Sequence, residues 1–204
     1  YTKSFGQHNF DVLVGHESFE RQIDYSYRYK TKEVIEGIYE FNNFLKNRSN
    51  ISYNLPLTKE SYFARLNYDF AGKYILSGAI RQDQSSRFDP SNNKGVFWSA
   101  GAGWNINKEN FLKDSNVVNL LRLRGSYGEV GNDGGIGANP GYFADLTMYN
   151  LGDYFNADEP GVYLMQTGNR NLTWETNAQL DAGIEFGLFK NRISGSVEYF
   201  RRET

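Results

Sequence analysis

Apolar and polar residues alternate with a period of two along much of the chain. Between residues 62 and 70 one parity is wholly apolar or aromatic, while the other carries Arg65, Asn67 and Asp69. A helix with this pattern would have no consistent apolar face, whereas a β-strand has two distinct faces. Similar alternation recurs along the chain, so we predict about seven antiparallel strands. They lie near 10–17, 62–70, 74–83, 96–106, 121–129, 174–186 and 193–201.

The links between these strands alternate between short and long. A tight turn joins 70 to 74, a short one joins 186 to 193, and a medium link after 106 contains one expected helical turn around Glu109–Lys113. The other links are longer, at about 20–60, 84–95 and 130–172, and all four prolines fall in them. Proline cannot donate to a strand ladder, so its placement supports the assignment. Alternating short turns and long loops are typical of transmembrane β-barrels.

Strand length and aromatic placement favour the same fold class. Several predicted strands run to about ten residues, the length that a tilted transmembrane strand needs, whereas sandwich strands usually have about 5–6. Aromatic rings fall at both strand ends, as in the girdles of membrane barrels. The turn-end rings are Phe70, Tyr74, Trp104 and Phe186, and the loop-end rings are Tyr62, Trp98, Tyr127, Trp174 and Tyr199. We therefore predict an all-β, antiparallel transmembrane β-barrel, with a secreted β-sandwich as the alternative.

Arginine residues fall on the polar parity of most predicted strands. A charge facing lipid near the bilayer midplane costs about 2–4 kcal/mol, so the apolar parity should face lipid and the polar parity the lumen. The arginines at 65, 81, 122 and 124 follow this rule, whereas Arg201, near a strand end, breaks it. The expected lipid-facing residues are Leu66, Ala100, Leu180 and Ile184, and the expected lumen-facing residues are Arg65, Arg81, Arg124 and Asp181.

Composition excludes several kinds of function. The net charge of -2 provides no basic surface for nucleic acid. The absence of cysteine from the 204 residues excludes disulfides, thiol nucleophiles and cysteine-ligated metals. His8 and His16 lack further zinc ligands, and Asp83, Asp89 and Asp133 lack EF-hand spacing, so we interpret the three aspartates as solvated loop carboxylates. We expect no enzyme activity, no cofactor and no metal.

Motifs within residues 62–204 resemble a known transporter family. They comprise the strand 70–77 with the following Arg81-Gln82-Asp83-Gln84-Ser85-Ser86-Arg87-Phe88, and the segments 96–104, 109–112, 123–132 and 169–175. In order and spacing they resemble the barrel of SusC/RagA-type TonB-dependent transporters of Bacteroidetes. Two positions depart from the family pattern, because Gln84 stands where glycine is usual and Arg170 replaces proline.

The resemblance implies a fold and a function for the whole protein. Residues 1–204 would be part of a 22-strand barrel domain, with the plug domain and signal peptide outside this segment. The protein would import a bulky nutrient, a glycan or a peptide, across the outer membrane of a Gram-negative bacterium. Energy would come from the TonB complex through the plug, and a SusD-type surface lipoprotein would close over the outer loops. A secreted carbohydrate-binding or glycoside-cleaving sandwich is the alternative function.

The longest predicted loop, 130–171, combines glycines with many aromatic rings. We expect it on the extracellular side, mobile alone and ordered by the lipoprotein or by substrate. Rings can supply binding area for sugars or proteins, but they can equally pack the loop on itself. The candidate contact residues are Tyr142, Phe143, Tyr149, Tyr154, Phe155 and Tyr163.

Overall fold

A computed structural model of the chain describes residues 1–134, 142–156 and 159–204, with the backbone alone for 151–156, 159 and 160. Within these ranges the chain forms strands joined by turns and two short 3₁₀ helices, Phe41–Asn43 and Ile106–Lys108. The strands are β1 (Thr2–Phe5), β2 (His8–Glu33), β3 (Phe44–Phe70), β4 (Tyr74–Ser85), β5 (Lys94–Asn105), β6 (Val118–Asn132), β7 (Met148–Asn156), β8 (Glu159–Gln166), β9 (Glu175–Leu188) and β10 (Ile193–Glu203). No helix in the described ranges is long and apolar enough to cross a membrane.

The main sheet has eight strands in the order β1-β2-β3-β4-β5-β6-β9-β10. Strands β7 and β8 form a separate antiparallel hairpin between β6 and β9. Each of the seven predicted strands corresponds to one strand of the main sheet, which confirms the antiparallel all-β prediction. Strand β1 was not predicted, because its four residues are too few to show an alternating pattern. The hairpin was not predicted either, because its residues fell within the expected loop.

The prediction of a link at about 20–60 was wrong, because β2 and β3 continue through most of it. The apolar positions of β2 are even-numbered between 10 and 14 but odd-numbered between 19 and 29, so the alternation changes phase and was interpreted as irregular. Residues Phe19–Thr58 form a compact unit of their own. Within it the rings of Tyr25 and Tyr53 stack at 4.7 Å, and Asn54 Nδ2 donates to Asp24 Oδ1 at 2.5 Å.

The proline prediction holds only in part. Pro56 lies inside β3 and Pro160 inside β8, whereas Pro90 lies in a link and Pro140 lies outside the described residues. Pairing between β3 and β4 begins at Lys59 opposite Ser85, so the β4 ladder does not reach Pro56. This placement fits the rule that proline occupies positions where a strand lacks a neighbour on one side.

The short turns form as predicted. Ala71 and Gly72 have φ values of 57° and 66°, the Lys73 N–H donates to the Phe70 carbonyl at 2.8 Å, and the Gly72 N–H donates to Asp69 Oδ1 at 3.0 Å. In the link after β5, the N–H of Lys113 donates to the Glu109 carbonyl at 2.8 Å, which closes the expected helical turn. These turns hold β3 beside β4 and β5 beside β6.

Candidate functional site

The register of the sheet places the predicted apolar residues on one face. Leu66 pairs with Gly78, which pairs with Ala100. Ala100 pairs with Tyr127, which pairs with Leu180. Directly opposite residues of neighbouring strands project to the same side of a sheet, so this apolar face extends across β3, β4, β5, β6 and β9. Ile184 lies on it too, because it is four residues from Leu180 in the same strand.

The other face carries the four predicted lumen residues. Arg65 pairs with Ala79, two residues from Arg81, and Arg124 pairs with Gly183, two residues from Asp181. Chains of directly opposite pairs through β4, β5 and β6 connect these positions to one another. Arg65, Arg81, Arg124 and Asp181 therefore share the face opposite to the apolar one.

Several charged side chains on this polar face form ion pairs. Arg124 Nε lies 3.2 Å from Glu185 Oε1 and its Nη2 bonds to Glu198. Arg81 bonds to Glu17 at 2.8 Å and to Asp83 at 2.6 Å. These side chains remain partly exposed, so each pair contributes little to stability, but a lipid environment would not tolerate so many ionised groups.

At the turn end of the strands, Glu109 joins the tight turn to two aromatic rings. Its carboxylate accepts from Tyr74 Oη at 2.7 Å, Trp104 Nε1 at 3.1 Å and Lys73 Nζ at 2.9 Å. The hydrogen bonds from Tyr74, Lys73 and Trp104 lower the pKa of Glu109 to about 2. The carboxylate therefore stays ionised at every physiological pH and fixes the rings of Tyr74 and Trp104 at the strand ends.

At the loop end, the buried rings of Phe88 and Phe97 pack against the half-buried ring of Trp174. The Trp174 ring lies 5.6 Å from both Phe88 and Phe97, and its Nε1 donates to the Asn93 carbonyl at 3.0 Å. Phe88 and Phe97 are among the few buried hydrophobic residues of the described chain. Together with the polar residues below, they form what we call the outer cluster: Lys59, Ser85, Arg87, Phe88, Asn93, Phe97, Asp133, Tyr142 and Trp174.

Asp133 is the centre of the polar half of the outer cluster. Its carboxylate lies 2.7 Å from Lys59 Nζ and accepts from Ser85 Oγ at 2.8 Å. Burial raises the pKa of Asp133, but the hydrogen bonds from Lys59 and Ser85 outweigh this effect and leave the pKa below its usual value. Its side chain is 10% exposed, so the interpretation of Asp133 as a solvated loop carboxylate was wrong.

The candidate contact residues of the long loop lie in different environments. Tyr142 is 7% exposed and packs under the Arg87 guanidinium, whereas Tyr149 at the start of the hairpin is 62% exposed. Asn150 Nδ2 donates to Tyr163 Oη at 2.8 Å across the hairpin. Phe143 is half-buried, and its carbonyl accepts from Gln166 Nε2 at 2.8 Å. The side chains of Tyr154 and Phe155 lie outside the described residues.

Comparison with known proteins shows the family to which the chain belongs. The family model for the TonB dependent receptor-like beta-barrel matches residues 1–204. The chain belongs to this receptor barrel family. A TonB-dependent receptor P39 of Formosa agariphila is 35% identical over 100% of the chain and 19% of its own length. The TonB-dependent receptor SusC of Bacteroides thetaiotaomicron is 34% identical over 99% of the chain and 20% of its own length.

Solved structures agree with this receptor-barrel assignment. A structure of the RagAB peptide transporter matches with a TM-score of 0.86 and 27% identity, covering 99% of this chain and 22% of that one. A structure of the RagAB peptide importer in the open-open state matches with a TM-score of 0.77 and 28% identity over the same shares. The chain thus spans about a fifth of the length of the relatives that it matches.

The receptor-barrel assignment confirms several expectations. The fold is that of an outer-membrane barrel rather than a secreted sandwich, the resemblance to SusC and RagA is correct, and the family consists of receptors and transporters rather than enzymes. Family members lie in the outer membrane of Gram-negative bacteria. Sequence reasoning missed the outer cluster, although three of the recognised motifs, at 81–88, 123–132 and 169–175, end in or beside it.

Proposed function

We propose that residues 1–204 form part of the barrel domain of a TonB-dependent transporter that imports a bulky nutrient, a glycan or a peptide, across the outer membrane. The observation that carries this proposal is the division of the sheet into one continuous apolar face and one ion-paired face. A wall between lipid and water needs this division. The similarity to SusC and to the RagAB peptide transporter supports nutrient import as the task.

We assign the two faces accordingly. Leu66, Ala100, Leu180 and Ile184 face lipid, whereas Arg65, Arg81, Arg124 and Asp181 face the lumen. The support is energetic, since each unpaired charge in the hydrocarbon layer costs about 2–4 kcal/mol. Arg201 lies on the lipid parity, paired with Glu203, near the end of β10.

We assign partner contact to the hairpin of β7 and β8. Tyr149 pairs with Leu164 across it, so both side chains share one face of the hairpin, and both are more than half exposed. An exposed apolar pair on a hairpin suits contact with a protein surface or a substrate. The proposed partner is a SusD-type surface lipoprotein, with the TonB complex acting through the plug domain.

Growth on defined nutrients tests the proposal. A strain lacking the gene for the full-length protein should lose growth on one class of nutrient, polysaccharide or peptide, when that class is the only carbon source. The full-length gene should restore growth, and deletion of the tonB gene should abolish it again. Undiminished growth of the gene-deletion strain on both classes, or recovery of the protein in the soluble fraction, would contradict the proposal.

A further inference from the structure

Arg87 is unusual because it is a buried arginine in a link between two barrel strands. The residue is 9% exposed, although it follows the end of β4 on the loop side of the wall. Arginine is almost never fully buried unless it is paired. Within the described residues the Arg87 guanidinium forms no salt bridge within 4 Å, but its charge lowers the pKa of the nearby Asp133 carboxyl. Its Nη1 donates to the Asp133 carbonyl, whereas its buried Nε has no hydrogen-bond partner among the described residues.

Those contacts join two connections of the chain, the one after β4 and the one after β6. The Arg87 N–H lies 3.4 Å from Ser85 Oγ at the end of β4, and Nη1 donates to the Asp133 carbonyl, just after β6, at 3.1 Å. The guanidinium carbon lies 5.0 Å from the centre of the Tyr142 ring, which belongs to the long loop. The backbone of Arg87 therefore contacts the wall, and its side chain joins the end of β6 to the start of the segment that leads into the hairpin.

The Asp133 side of this arrangement is fixed independently of Arg87. Lys59 and Ser85 hold the Asp133 carboxylate from β3 and β4, so the carbonyl that Arg87 contacts has a defined position. The turn at Tyr142 is also tied to the end of the hairpin, because Gln166 Nε2 donates to the Phe143 and Leu146 carbonyls at 2.8 and 3.1 Å. Hydrogen bonds therefore connect the end of the hairpin to the turn at Tyr142, and the Tyr142 ring in turn contacts Arg87.

We propose that Arg87 is the positioning residue that sets the hairpin of β7 and β8 relative to the barrel wall. The guanidinium lies over the Tyr142 ring while its Nη1 donates to the Asp133 carbonyl. The point charge of lysine does not reproduce this combination. The inference rests on the proposed contact role of the hairpin, whose orientation decides how it presents Tyr149 and Leu164. Beyond that contact role, the inference names Arg87 as the residue that sets the orientation of the hairpin.

Distance measurements between spin labels test this assignment. Labels are placed at Lys94→Cys on β5 and Leu164→Cys on β8 in the full-length protein in outer-membrane vesicles, since this segment has no cysteine of its own. In the background of Arg87→Lys or Tyr142→Ala, the width of the distance distribution should at least double. Tyr142→Phe should give a narrower distribution than Tyr142→Ala, because it keeps the ring that Arg87 contacts.

Arg170→Ala is the matched control. Arg170 is 79% exposed and lies 4.0 Å from Asp89, so the substitution removes one positive charge from the same region without touching the outer cluster. Narrow, wild-type distributions in both Arg87→Lys and Tyr142→Ala would overturn the assignment. If Arg87→Lys fails to insert, the contrast between Tyr142→Ala and Tyr142→Phe decides alone. The measurement needs neither substrate nor uptake, so its result is independent of the growth test above.

Discussion

The Phe97 ring of β5 lies against the backbone of Gly131 in the neighbouring strand β6, where a Cβ atom would overlap the ring. Phe97 is buried, and the same ring packs on Trp174 in the outer cluster. The glycine is therefore required by close approach between a ring and a strand. This contact leads to the first prediction.

Gly131→Ala should destabilise the outer cluster. Overpacking a well-packed site costs about 1–3 kcal/mol, and relief here would displace Phe97 from Trp174. Urea unfolding of the full-length protein in detergent, followed by tryptophan fluorescence, measures the loss. Gly125→Ala is the control on the same strand, because its new methyl group would meet only the Asp181 carbonyl oxygen at 3.7 Å. Equal stability of both variants would show that Phe97 can move without cost.

The second prediction concerns Glu109. Glu109→Gln should lower the unfolding midpoint, because the amide loses the charged hydrogen bond to Lys73 and accepts from Tyr74 and Trp104 more weakly. Asp114→Asn removes a charge from an exposed position in the same link and should leave the midpoint unchanged. If the two variants behave alike, net charge rather than the contacts of Glu109 sets stability.

The third prediction is the pH dependence of this difference. The pKa of Glu109 is about 2 in the fold, against an ordinary value of 4.5. A carboxyl group with a lowered folded-state pKa stabilises the fold above its unfolded pKa and loses this contribution as pH falls through the folded value. The stability gap between wild type and Glu109→Gln should be constant above pH 4.5 and shrink toward pH 2. A gap independent of pH over this range would exclude the ionised carboxylate as its source.

Sequence periodicity predicts the wall but not the outer cluster. Alternation is a local property, so the strands containing Leu66, Ala100 and Leu180 can be recognised one at a time. Lys59 and Asp133 are separated by 74 residues, and no local pattern marks such a pair. A period-two search expects one parity throughout a strand, so it did not recognise the part of β2 that follows the change of phase. Loop carboxylates such as Asp133 were misinterpreted because exposure depends on tertiary contacts.

The fourth prediction tests the two faces of the wall by cysteine labelling of the full-length protein. Cysteine at 66 or 180 should react with a lipid-soluble maleimide and resist a charged one, because both positions share the apolar face. Cysteine at 65 or 181 should show the opposite preference. These neighbours serve as matched controls, since a one-residue step changes the face but hardly the depth. Reaction of 65 and 181 with the lipid-soluble probe alone would invert the assignment.

The last prediction concerns the hairpin itself. Met148 pairs with Gln166, so the chain can be closed there. Replacing residues 149–165 by a short Gly-Ser turn should cost little stability, because loop length contributes weakly to the closure entropy. The variant should reach the outer membrane at wild-type levels and show the heat-modifiable mobility of a folded barrel.

Uptake of the nutrient identified by the growth test should fall at least tenfold in this variant. Tyr149→Ser combined with Leu164→Ser should reduce uptake similarly without shortening the chain, because it removes the exposed apolar pair alone. Normal uptake in both variants would show that the hairpin takes no part in capture. Failure of only the shortened variant to insert would instead assign the hairpin a role in assembly, and the double substitution would then decide its role in uptake.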